Sequence, residues 1–170
     1  MVKVGVGIAL LLIIFSSLAF SASDSATTTV SWSVLPFATL SIAGEEGSGD
    51  AVVSTFALPQ PSAADLNRGY IEVERALTLI AVSNTNWRLT VRSDDPDLGR
   101  SYDGSYVKPL GDFQLRTAGG EYRSISNGEQ VLMTGRHGRY ELGIDYRIRF
   151  HSGYRPGDYR VTLIYTITTD

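Results

Sequence analysis

Tyr140-Glu141-Leu142-Gly143-Ile144-Asp145-Tyr146-Arg147-Ile148-Arg149-Phe150 is the stretch that decides the fold. A large apolar side chain occupies every second position, with Glu141, Gly143, Asp145, Arg147 and Arg149 between them. Side chains alternate across an extended backbone, so this period of two predicts a strand with one buried face. Ser152 to Asp158 reads as a turn around Pro156-Gly157. Tyr159, Val161, Leu163, Tyr165 and Ile167 then alternate again, with Arg160, Thr162, Thr166 and Thr168 opposite. Together the two runs predict a long antiparallel hairpin with one buried face.

Upstream, Leu77 to Val82 is apolar and rich in β-formers, which predicts a central strand. Asn84-Thr85-Asn86 is turn chemistry. Trp87, Leu89 and Val91 follow, alternating with Arg88, Thr90 and Arg92, so a second hairpin is expected here. Residues 94–111 form a long polar loop. Shorter strands are expected at 113–116, 122–125 and 130–134, with Ala118-Gly119-Gly120 and Asn127-Gly128 as turns. Towards the start, 28–34, 38–42 and 51–56 read as strands. Ala63 to Leu66 can form one helical turn, and no twelve-residue stretch shows a helical period. Eight or nine short strands separated by turn signals predict an all-β protein, an antiparallel immunoglobulin-like β-sandwich.

Asn84-Thr85-Asn86-Trp87-Arg88-Leu89-Thr90-Val91 resembles the W-x-L strand of the WxL domains, secreted modules of bacterial cell walls. The ending Gly157 to Ile167 is similar to that family's last strand, with Tyr165-Thr166-Ile167 where a second W-x-L normally sits. The likeness covers roughly residues 70–170. It implies a non-catalytic surface domain that associates with the cell wall.

The first 23 residues carry an address. Met1-Val2-Lys3 is a short positive start, Val4 to Phe20 is apolar, and Ser16, Ser17, Ala19, Ser21, Ala22 and Ser23 are small. That order is a secretory signal peptide, with cleavage expected before Ala22 or before Asp24. The rival is an uncleaved anchor, for which the run is short. Residues 24–170 are then one exported domain, secreted or at the cell surface, with no stable transmembrane anchor after cleavage. The chain has no cysteine, which excludes lipidation at cysteine, thiol catalysis and thiolate metal sites. A net charge of −3 argues against nucleic acid as a partner. Lys108 is the sole lysine after the signal, so a covalent lysine cross-link could use no other residue.

Candidate sites follow from side-chain chemistry. Arg147, Arg149 and His151 share one face of the expected strand, and Arg160 is placed on its hairpin partner. Such a face could hold an anionic wall polymer, because guanidinium forks read carboxylate and phosphate. The plainer alternative is a solvated sheet face with Glu141 and Asp145 as cross-strand partners. Asp95, Asp97 and Asp103 offer hard oxygen ligands, so calcium is a possible cofactor. His137 and His151 are the only histidines, and no nucleophile elbow or zinc-binding helix motif appears, so no catalytic residue is nominated and no enzyme is expected. Trp32 and Trp87 are expected in the core rather than on a sugar platform.

Residues 24–34 form a Thr-rich arm with Val30, Trp32 and Val34 on one stripe. An arm of that pattern can complete the sheet of a neighbouring copy. The expected function is therefore a secreted, non-enzymatic structural or wall-associated surface protein. The alternatives are a filament subunit that self-assembles by strand donation, and a module binding a carbohydrate or anionic wall polymer. Partners on these readings are a cell-wall polymer, other surface proteins or further copies.

Overall fold

The computed structural model describes residues 28–44 and 55–169. The chain divides into two compact units, Met1–Ser33 and Val34–Asp170. The expected signal peptide and the strand residues 51–54 lie outside the described residues. Among the described residues, no helix is long and apolar enough to cross a membrane.

The second unit is two antiparallel sheets. One sheet holds β1 (Ala38–Ile42), β2 (Tyr70–Ser83), β7 (Gly138–Arg149), β4 (Phe113–Thr117) and β5 (Arg123–Ser124), in the spatial order β1-β2-β7-β4-β5. The other holds β6 (Gln130–Gly135), β3 (Trp87–Ser93) and β8 (Leu163–Thr169), in the order β6-β3-β8. The expected all-β sandwich of eight or nine strands is met by these eight.

The core fills the space between the sheets. Leu79, Ala81, Leu115, Leu142 and Ile144 come from the first sheet, and Trp87, Leu89 and Val91 from the second. Each sits at a period-two position, as the alternation requires. Trp87 is wholly buried and donates its ring N–H to the Arg136 carbonyl at 2.8 Å. It can lie flat over β6 because its neighbour there is Gly135. A Cβ at that glycine would fall 2.3 Å from the indole ring.

One helix, α1 (Ala63–Arg68), occupies the loop where a helical turn was expected. Ser62 and Asp65 form a reciprocal capping box at its start, and Gly69, at φ +84°, ends it. The helix leaves Arg68 beside the beginning of β2.

Three strand expectations are corrected. β7 and β8 are not a hairpin: β7 pairs with β2 and β4, while β8 pairs with β3 in the other sheet. β2 and β3 are likewise in different sheets, so Asn84-Thr85-Asn86 is a corner between layers. There Ser83 Oγ donates to the Phe37 carbonyl, and the Phe37 N–H donates to Asn84 Oδ1. Residues 28–34 form no strand, and Trp32 is 81% exposed rather than in the core. Alternation states which face of a run is buried. It is satisfied equally by a hydrogen-bonded neighbour and by a strand facing it across the core.

Candidate functional site

The outer face of the five-stranded sheet carries a column of alternating guanidinium and phenol groups. Arg68 lies 4.5 Å from the centre of the Tyr70 ring, and Arg147 lies 4.4 Å from that ring. Arg147 also lies 3.7 Å from the Tyr122 ring, which Arg116 approaches at 4.4 Å. The order is thus Arg68, Tyr70, Arg147, Tyr122, Arg116. Contributions come from α1, β2, β7, β4 and the turn before β5. Cations over ring faces are attracted by the ring quadrupole, which holds the column in register.

Carboxylates interleave the column. Glu72 accepts from Arg147 at 2.7 Å and from Arg116 at 3.3 Å. Asp145 accepts from Arg116 at 2.7 Å. Both pairs are direct cross-strand neighbours, Glu72 opposite Arg147 and Arg116 opposite Asp145. Asp145 also accepts the Arg75 N–H at 2.8 Å. That donor is freed by a bulge between Val73 and Leu77, where Arg75 takes φ +49°. Burial pushes the Asp145 carboxyl up, but the Arg75 N–H and the Arg116 guanidinium outweigh it and hold the group below its ordinary value. Glu72 behaves the same way: burial raises it, but the hydrogen bonds from Arg147 and the charges of the Arg147 and Arg116 guanidiniums outweigh that and hold it below its ordinary value.

A groove of about 480 Å³ opens beside the column, lined in part by Arg68, Tyr70, Gln114, Arg147 and Arg149. Arg68 is paired with Asp65 at 2.7 Å, and Arg147 with Glu72. Arg149 is exposed and has no ion-pair partner among the described residues. The structure therefore brings Arg147 and Arg149 to one groove, as expected, but adds Arg68 and separates the other two nominees. His151 meets Asp112, its Nε2 2.6 Å from Oδ1. Arg160 lies in the connection to β8, its N–H bonded to the Leu98 carbonyl at 2.9 Å. The pairing of Arg147 and Arg116 with acids favours a self-neutralised outer face over a polymer-binding one.

The far side of His151 leads into the interior. Asp112 accepts from Lys108 Nζ at 3.0 Å, and that ammonium also donates to the Arg149 carbonyl at 2.7 Å. Phe150, Tyr154 and Tyr159 surround it at 5.4, 5.1 and 5.9 Å. Lys108 is 1% exposed, and its burial lowers its pKa against the opposing pull of Asp112. Lys108 thus pins the long polar loop to the segment after β7.

The three candidate calcium ligands are separated into local roles. Asp95 accepts the Thr162 N–H at 2.6 Å, and Asp97 accepts the Gly99 N–H at 2.8 Å. Asp103 accepts both hydroxyls of Ser101 and Ser105, at 2.6 and 2.8 Å. Among the described residues, no three acidic or histidine side chains are gathered as a metal site.

The expected arm stands out by exposure. Val30 is 75% exposed, Trp32 81%, Val34 68% and Leu35 77%. Tyr70 and Glu72 precede Leu77, where the apolar run of the expected strand begins, so that expectation does not reach them. Period two does run through Tyr70, Glu72 and Glu74 against Ile71 and Val73, and that signal could have found them. Comparison with models of protein families gives no match, and comparison with curated proteins gives none.

Proposed function

We propose that this chain is an exported, non-enzymatic structural protein of the cell surface, which assembles with other surface proteins through its N-terminal segment. The observation that carries this reading is the exposed stripe Val30, Trp32 and Val34. Burying a large apolar side chain contributes roughly 2 kcal/mol, so an alternating set of them in water has a strong drive to find cover. Period two is the pattern of a strand that will bury one face. The signal-like order of Met1 to Ser23 supports export. The likeness of Trp87-Arg88-Leu89 and its surroundings to WxL modules supports a place on the wall. The self-paired arginine column supports a structural role for that face rather than a ligand site.

The test is the solution mass of the exported chain, purified after export from the expression host, by light scattering during size-exclusion chromatography. A high-mass, concentration-dependent species is expected. Deleting residues 24–34 should return it to the mass of one chain with the sandwich intact by circular dichroism. A wild-type protein that runs as one chain at every concentration would remove the proposal.

A further inference from the structure

The strand β8 ends the three-stranded sheet, and its outer side has no strand partner among the described residues. Its hydrogen-bonding phase follows from one bond. The Asp94 N–H donates to the Thr162 carbonyl at 3.0 Å, directly continuing the register of Ser93 with Leu163. In an antiparallel pair, bonded and non-bonded residue pairs alternate. Thr162, Ile164, Thr166 and Thr168 therefore turn their backbone groups to β3. Leu163, Tyr165 and Ile167 turn theirs to the open edge. The side chains of these same three pack against the core yet stay half-buried.

β1 of the other sheet lies close to β8 without pairing with it, so the outer backbone groups of β8 have no ladder partner among the described strands. Residues 163–169 contain no charge, no proline and no glycine. Proteins ordinarily blunt free edges with such residues, with bulges or with very short strands. Two of the other three edges fit that rule. β5 is two residues long, and β6 is bulged where Leu132 lacks a partner on β3. β1 is likewise free of charge, proline and glycine, but at five residues it is two shorter than β8 and than residues 28–34.

We infer that β8 is the acceptor for residues 28–34 of a second copy of this chain, which adds as a strand along that edge. The inference rests on the assembly reading above and names its partner. Donor and acceptor match in length, seven residues each. They match in spacing, with apolar residues at 30, 32 and 34 against 163, 165 and 167. Both are neutral and rich in β-formers, which suits main-chain pairing with side chains in alternate pockets. Donor and acceptor are different surfaces, so the contact is head-to-tail and the product is an open chain of copies rather than a closed dimer.

The test separates donor from acceptor. One variant lacks residues 24–34 and keeps β8. The other keeps the arm and carries Ile167→Pro, which removes an edge-facing N–H; Thr166→Lys with Thr168→Lys is a second form that leaves the buried side chains alone. Each variant alone is expected to run as a single chain, and a mixture of the two is expected to give a one-to-one dimer that grows no further. Dimer formation also shows that the edge-blocked chain is folded enough to donate. If both edge variants form polymers like the wild type, the acceptor lies elsewhere. This inference then falls and arm-driven assembly stands. If the mixture stays as single chains, the inference falls as well. If the wild type itself is a single chain, both proposals fall.

Discussion

Gly135 shows how one missing methyl group places the largest core side chain. Trp87 is fully buried only because nothing projects from the facing position of β6. The obstacle that Gly135→Ala creates is a packed indole ring, held by Tyr140 edge-on at 5.2 Å and by the Arg136 carbonyl. The ring cannot swing aside without losing both. Overpacking of this kind costs about 1–3 kcal/mol, and that loss is expected in urea unfolding followed by tryptophan fluorescence. The sequence placed Trp87 in the core correctly, because Leu89 and Val91 repeat its phase. It placed Trp32 there by the same logic, with Val30 and Val34 as its companions, and that was wrong. The two stripes are alike as strings, and among the described residues only that of Trp87 is buried.

At the scale of elements, the connections carry what the strands do not. Lys108 and Asp112 join the long polar loop to the segment after β7, at a point where both side chains are almost fully buried. Asp112→Ala leaves the ammonium inside without its counter-charge, and removing one member of a buried pair costs about 3–5 kcal/mol. The double change Lys108→Met with Asp112→Leu should cost much less, since no charge is stranded. Chemical denaturation of both variants checks this, and equal losses would contradict it. The pair was not legible beforehand, because its side chains are turned inward from a loop that reads as solvated. The runs that became β7 and β8 were legible as strands, and β3 likewise, but their partners were not. A short polar turn between two strands looks the same whether it folds a hairpin or steps between layers.

For the whole molecule, the acidic groups set the lower limit of stability. Hydrogen bonds from Ser101 and Ser105 lower Asp103 from 3.8 to about 2. Glu72 and Asp145 are also held below their ordinary values of 4.5 and 3.8. A carboxyl with a lowered folded pKa stabilises fully above its unfolded value, and that contribution is lost as pH falls through the folded one. The urea midpoint is therefore expected to stay level down to about pH 4.5 and to decline between there and about pH 2. Tyr146 and Tyr165, whose hydroxyls are 3.1 Å apart, bridge the two sheets, and burial raises both above 10. Their contribution is present below pH 10 and lost above it, so alkaline unfolding is expected on that side. A midpoint flat from pH 7 to pH 2 would contradict the acid limb.

The all-β class, the buried faces of β3 and β7, and the turn chemistry between strands are all written in the order of the residues. Each of these is local, because alternation and turn residues act over a few positions of the chain. Tertiary structure alone decided which strands are neighbours. It also assembled the Arg68-Tyr70-Arg147-Tyr122-Arg116 column from separate elements, buried Lys108, and left Trp32 uncovered while Trp87 was enclosed. Those outcomes depend on contacts between residues far apart in the chain, and a periodic pattern carries no record of which distant segment will supply the other half of a contact.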